Sequence, residues 1–155
     1  MIDQSKKKVL ALLSTFLLLV SAAFAAEEDD ILGLWNTPEK DCKMEIYKCS
    51  DKYCGRIAWL KDPYYPDDDD GGMAGKPVVD RKNPNSDLRT RPLVGLQIME
   101  GFTYTGKTVW EKGTIYSPRH GRTYKGKMAL SAPHRLEVRG FIGIPLLGGT
   151  SVWTR

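Results

Sequence analysis

The chain predicts an all-β fold, a single antiparallel up-and-down β-barrel of about eight strands with one long loop at residues 62–91. Three observations lead there. Short runs rich in Val, Ile, Tyr, Trp and Thr recur between turn formers, and 15 glycines and 9 prolines punctuate the 155 residues. Beyond the first 26 residues no apolar stripe keeps helical spacing over three turns. The connections are short: Tyr104-Thr105-Gly106-Lys107 and Ser117-Pro118-Arg119-His120-Gly121 have the composition of hairpin turns. Eight short strands in series favour a closed barrel, with a two-sheet sandwich as the alternative.

Residues 1–25 stand apart from that pattern. Lys6, Lys7 and Lys8 give a basic start, residues 9–20 are apolar, and Ala23-Phe24-Ala25 supplies the small-x-small pattern that a signal peptidase reads. The apolar run is too short for a permanent membrane helix, and Glu27-Glu28-Asp29-Asp30 follows it abruptly. These features predict a secretory signal peptide, with a barrel domain at 26–155 that is periplasmic or secreted. No cysteine lies near the cleavage point, so a lipid anchor is not indicated. A domain of about 130 residues needs neither metal nor disulfide to fold. No second apolar run approaches membrane length, so the mature chain has no integral membrane segment.

Strands are expected near 33–37, 43–49, 53–61, 92–100, 107–116, 122–130, 135–141 and 147–154. The three cysteines, Cys42, Cys49 and Cys54, fall in the second and third of these or beside them. Export makes a nearby pair a disulfide before a reactive thiol. With Cys49 opposite Cys54 around Ser50-Asp51-Lys52-Tyr53, Ile46 faces Ile57 and Met44 faces Trp59, which stacks four large apolar side chains on one face. Disulfide geometry and apolar register agree, favouring Cys49–Cys54 with Cys42 free; Cys42–Cys54 is the competitor. The spacing does not suit zinc, and His120 and His134 are distant in sequence.

The long connection has two characters. Its acidic run, Asp67 to Asp70, lacks the staggered spacing of a calcium loop and reads as solvated. Its later part carries the turn formers Asn83-Pro84 and Ser86-Asp87, then Arg89 and Arg91, whose guanidinium forks suit a carboxylate or phosphate. The plain alternative is that these arginines bridge loop carboxylates such as Asp80 or Asp87.

Charge narrows the partners. Removing Lys6, Lys7, Lys8 and Asp3 from 23 basic and 19 acidic side chains leaves 20 and 18, an interspersed balance with no footprint for nucleic acid.

Several stretches together resemble an exported bacterial family known as domain of unknown function 2147. They include Gly33-Leu34-Trp35, Ile46-Tyr47-Lys48-Cys49 with Cys54-Gly55-Arg56-Ile57, and Lys82-Asn83-Pro84-Asn85. Others are Leu88-Arg89-Thr90-Arg91-Pro92-Leu93-Val94-Gly95-Leu96, Gly113-Thr114-Ile115-Tyr116-Ser117-Pro118, Gly121-Arg122-Thr123-Tyr124, and Trp153-Thr154-Arg155. The resemblance supplies no activity. The ends of the domain are similar to lipocalin-like (calycin-like) barrels, in which a Gly-x-Trp motif opens the first strand and a basic group closes the last. That likeness implies Trp35 on the barrel floor beside Gly33, with Arg155 stacked over its ring.

No catalytic constellation is recognisable: there is no Gly-x-Ser-x-Gly elbow, no His-Glu-x-x-His, and no phosphate-cradling glycine loop. His120 sits in a turn, where an exposed polar role is the ordinary one. Tyr116 and Tyr124 flank the same turn and either line a mouth or cover the core edge. The leading expectation is a barrel that binds a small amphiphile such as a fatty acid, without cofactor or metal, with Arg89, Arg91, Tyr116 and Tyr124 at the ligand. The alternative is an envelope interaction protein with a side-chain-filled barrel whose loops dock a protein partner; an enzyme is the third reading. Oligomeric state is not legible in the sequence.

Overall fold

The computed structural model describes residues 27–155, so the signal assigned to 1–25 lies outside the described residues. Eight strands follow one another around a closed antiparallel barrel: β1 (Gly33–Asn36), β2 (Cys42–Cys49), β3 (Lys52–Leu60), β4 (Gln97–Gly106), β5 (Val109–Ser117), β6 (Arg122–Ala132), β7 (Arg135–Phe141) and β8 (Gly149–Thr154). Closure comes where Asn36 of β1 meets Thr154 of β8. Such a meander places alternate connections at opposite ends. The tight turns after β2, β4 and β6 share one end, and the connections at 37–41, 61–96, 118–121 and 142–148 share the other. No helix among the described residues is long and apolar enough to cross a membrane.

The end with tight turns is plugged. Residues 27–32 run across it, held by Trp35 Nε1 donating to the Ile31 carbonyl at 2.8 Å and Trp110 Nε1 donating to the Glu28 carbonyl at 3.2 Å. Tyr53 donates its hydroxyl to Asp29 at 2.7 Å, and Lys48 pairs with the same carboxylate at 2.8 Å. Above this plug, Trp35, Phe102, Trp110, Met128 and Leu136 are fully buried. The Phe102 ring occupies space that only glycines leave open: a Cβ added at Gly113 or Gly126 would stand 2.3 or 2.5 Å from it. The floor is therefore packed across the barrel axis.

The disulfide forms between Cys49 and Cys54, with Cα atoms 5.9 Å apart, and Cys42 is free. The expected register is corrected by two residues. Cys49 faces Lys52, Cys54 faces Tyr47, Met44 faces Ile57 and Ile46 faces Gly55, so the sulfurs bridge diagonally. The physical reason is Tyr53. A two-residue turn at Ser50 and Asp51, with Ser50 at φ +58°, draws Tyr53 into the sheet and buries its ring edge-on to Trp110 at 6.3 Å. A bulge beside Lys43 then turns Trp59 outward, where it is exposed with Lys43 Nζ 5.6 Å above its ring. A shift of two keeps every other side chain on its expected face, because the strand period is two.

The fourth strand is also corrected, to Gln97–Gly106 from 92–100. Residues 92–96 make only scattered bonds, such as Leu93 N–H to the Val78 carbonyl and Ile57 N–H to the Leu96 carbonyl. Pro92 lacks a donor, which suits the single bridge it forms with Val79. The β4–β5 turn correspondingly closes later, on Lys107 and Thr108.

The long connection is folded. Tyr64 bridges Pro77, Val79 bridges Pro92, and the Arg81 guanidinium lies 4.0 Å over the Tyr65 ring while binding Asp69. Asp69, within the acidic run, also accepts from the Met73 N–H at 3.1 Å. The segment docks on the β5–β6 turn so closely that a Cβ on Gly121 would meet the Lys82 carbonyl at 1.9 Å.

Candidate functional site

Above the packed floor the barrel is hollow. A cavity of about 640 Å³ opens between the four connections at the far end. Its walls are apolar, chiefly Met44, Ile57, Leu93, Ile98, Ile115 and Val138. Met44, Ile57, Ile115 and Val138 come from inward positions on their strands, Ile98 from the irregularity at the start of β4 beside buried Met99, and Leu93 from the long connection, as a lid over one side. These side chains are medium-sized and stop short of the axis, which the ring of Phe102 occupies lower down. Polar groups gather at the rim, Thr37, Glu39 and Asp41 on one side and Ser117, Arg119 and His120 on the other, while Ser151, paired with Val138, adds a hydroxyl to the wall. The His120 Nδ1 lies 3.0 Å from Ser117 Oγ, within the turn, and the ring is exposed.

Cys42 lines this cavity with its Sγ 3.9 Å from the Met44 thioether. Burial, aided by the charge of Asp41, pushes its thiol up to about 11. It is thus protonated at neutral pH, a weak nucleophile and a soft apolar wall. No group of three or more His, Cys, Asp or Glu side chains that could hold a metal occurs among the described residues.

Tyr116 stands between the main cavity and a smaller polar one of about 170 Å³, lined by Asn83, Arg91, Gln97, Thr114 and Thr123 among others. Its hydroxyl donates to Asp80 Oδ1 at 2.7 Å. Asp80 is fully buried and accepts as well from Asn83 Nδ2 at 2.7 Å and from the Arg91 guanidinium at 2.9 Å. Burial alone would raise the carboxyl; the donors from Tyr116, Asn83 and Arg91 outweigh it and hold Asp80 below the usual carboxylate range. The same burial and the Asp80 bond push the Tyr116 phenol up to about 12. This four-residue cluster fastens the long connection to β5.

The residues expected at the ligand are thus distributed unevenly. Tyr116 reaches both cavities. The Arg91 guanidinium is taken up by Asp80, the bridging alternative, and Arg91 borders only the smaller cavity. Arg89 donates from Nε to the Asn83 carbonyl at 2.7 Å and lines neither cavity. Tyr124 sits opposite Ile115, half-buried beside Gly140, and also lines neither. Cys42 in the wall and Arg119 at the rim are among the lining residues that sequence reasoning did not place there. The parity of Cys42 with Met44 on β2 carried that signal for the cysteine.

At the plugged end, the Arg155 guanidinium lies 4.3 Å over the Trp35 ring. It donates to the carbonyls of Leu32 at 2.9 Å, Asp30 at 2.7 Å and Pro133 at 3.1 Å. Gly33, at φ +106°, turns residues 27–32 beneath the barrel into β1.

This architecture is similar to the solved structure of protein HP1028 from the human pathogen Helicobacter pylori, described as belonging to the lipocalin family. The two share 22% identity over 81% of this chain and 82% of that one, with a TM-score of 0.67, a likeness of fold. No curated protein matches the chain in sequence. The model of the bacterial family called uncharacterized protein conserved in bacteria, domain of unknown function 2147, matches residues 33–155, and the chain belongs to that family.

Proposed function

We propose that the protein is an exported carrier that binds one small amphiphile in the open half of its barrel. The observation that carries this reading is the apolar cavity of about 640 Å³, within the roughly 300–1,000 Å³ typical of small-molecule sites. An acyl chain would lie along Met44, Ile57, Ile98, Ile115 and Val138. Its anionic head would remain at the rim, near Arg119 and His120, with Tyr116 at its side. In this reading Arg91 and Arg89 hold the long connection in place and do not meet the head group.

Export is part of the proposal. It rests on the signal pattern of residues 1–25 and fits the Cys49–Cys54 disulfide, a bond that persists in oxidising compartments. The alternative of an envelope scaffold requires an interior filled by side chains, and the cavity weighs against it.

The test is titration of the delipidated protein with the fluorescent fatty acid cis-parinaric acid. One-to-one binding is expected, lost when Val138→Trp fills the cavity and retained in Tyr124→Phe. Saturable binding that Val138→Trp leaves unchanged would place the ligand elsewhere, and no binding would remove the carrier reading.

A further inference from the structure

The connection between β7 and β8 breaks the usual rule for a turn. Its side chains Ile142, Ile144, Leu146 and Leu147 are 62, 56, 81 and 76% exposed, a contiguous apolar tip at the rim of the open end. The apolar cavity begins at the base of this loop, where Gly140, Gly149 and Thr150 line it, yet the four side chains do not fold into it.

The backbone holds them out. Arg139 donates from Nε to the Pro145 carbonyl at 2.7 Å, from one terminal nitrogen to the Leu146 carbonyl at 3.3 Å, and from the other to Thr150 Oγ1 at 2.6 Å. One guanidinium therefore satisfies the carbonyls of the short helical turn Pro145–Leu147 and ties it to β8. The loop is braced with its greasy side chains outward.

Charge beside the loop identifies what they meet. Lys125 of β6 pairs across to Phe141, where the loop begins, and Arg122 and Arg119 continue the same rim toward the β5–β6 turn. All three are exposed, and none forms an ion pair among the described residues. Residues 141–149 contain no acidic side chain. Glu39 and Asp41 belong to the connection beyond β8, with Lys40 between them. The acidic run Asp67 to Asp70 belongs to the β3–β4 connection, four strands away around the barrel from β7–β8. An apolar tip flanked by unpaired cations matches the surface of an anionic bilayer, in which side chains enter the acyl boundary while the cations meet head groups.

We propose that residues 142–147 dock the protein on anionic lipid, with Arg119, Arg122 and Lys125 as the electrostatic collar. Docking there sets the mouth of the cavity against the bilayer. The inference goes beyond the carrier reading and does not require it.

The exported form of the full chain is to be co-sedimented with phosphatidylglycerol–phosphatidylethanolamine vesicles and with phosphatidylcholine vesicles. Binding to the first is expected, and weakening by about tenfold or more in Leu146→Glu/Leu147→Glu, whose exposed positions leave folding intact. Arg119→Glu/Arg122→Glu is expected to lose about tenfold and most of the salt dependence. No sedimentation of the wild type with anionic vesicles, or equal sedimentation of the leucine variant, overturns the proposal. So does a wild type that ignores vesicles but elutes as a dimer which Leu146→Glu/Leu147→Glu makes monomeric, or one that crosslinks to an envelope protein through this loop. Parinaric acid binding by the leucine variant separates the two readings: it is expected to be unchanged, and failure of vesicle binding alone leaves the carrier reading standing.

Discussion

The plugged and open halves of the barrel are built from the same eight strands with the same in-and-out alternation, but only one is filled. Toward the tight turns the inward positions hold Trp35, Tyr53, Phe102 and Trp110, which share one buried cluster where Tyr53 meets Trp110 edge-on, and Gly113 and Gly126 clear the way for Phe102. Toward the long connections the wall holds Met44, Ile57, Ile98, Ile115 and Val138, which leave about 640 Å³ between them. An eight-stranded barrel is just wide enough for either outcome. Side-chain size, not strand pattern, decides which half is core and which is container. Stability and binding should therefore respond to different residues.

The sharpest way to break that comparison is to hollow the floor. Phe102→Ala is expected to lower unfolding free energy by about 3–5 kcal/mol, because the glycine-lined niche has no side chain that can relax into it. Urea unfolding measures this. Parinaric acid affinity should stay within about twofold, since the sites are separate. A large loss of affinity at preserved folding would show that floor and mouth are one cooperative unit.

The next effect concerns how the open half is assembled. Asp80→Asn removes the charge that three donors address and is expected to cost about 1–3 kcal/mol. Asp80 is held below the usual carboxylate range, so its contribution is complete above the unfolded value of about 4 and disappears as pH falls through the lower folded value. Tyr116, raised to about 12, gives the mirror case: that bond stabilises fully below the unfolded value of about 10 and is lost as pH climbs through about 12. Limited proteolysis within residues 61–96 should accelerate in wild type below about pH 4. In Asp80→Asn the loop should already be cut faster at pH 7, with a flatter acid response. Equal cleavage of the two proteins at pH 7 would dismiss the latch.

The sequence disclosed the halves unequally. Strand number, order and closure followed from the spacing of β-branched and aromatic segments; the Cys49–Cys54 bond was expected from a register that set the two opposite each other, and it forms from a register two residues away. What escaped was set by tertiary burial. The two-residue slip in β2–β3 depends on Tyr53 finding Trp110 and Asp29, partners 57 and 24 residues away that no local pattern announces. The start of β4 was obscured because Leu93, Val94 and Leu96 have strand composition but serve as a lid and connection. Arg89 and Arg91 offered the right chemistry for an anion, yet that chemistry is met inside the protein by Asp80 and the Asn83 carbonyl. The cavity itself was not legible, because the diameter left between Ile98, Ile115 and Val138 depends on barrel stagger.

The smallest expected effect tests where the molecule tolerates strain. The β4–β5 turn at the plugged end places Lys107 at φ +51° and Thr108 at φ +67°, a pair of left-handed residues for which Asn-Gly is the usual solution. A β-branched residue there is costly, by about 1–2 kcal/mol. Such a conformation persists only where its surroundings impose it. Here the Thr108 carbonyl accepts from the Leu130 N–H at 2.9 Å, and Val109 and Trp110 immediately continue into the packed floor. At the open end glycine takes the left-handed positions 121 and 143, while Lys40 in the β1–β2 connection, at φ +56°, does without it. Thr108→Gly relieves the fold but also loosens the unfolded chain, which returns part of the gain, so a net stabilisation of about 0.5–1 kcal/mol is expected. The urea midpoint should rise with an unchanged slope. A lower midpoint would mean that the threonine side chain contributes to the plugged end and that the turn is not simply held there by the floor beneath it.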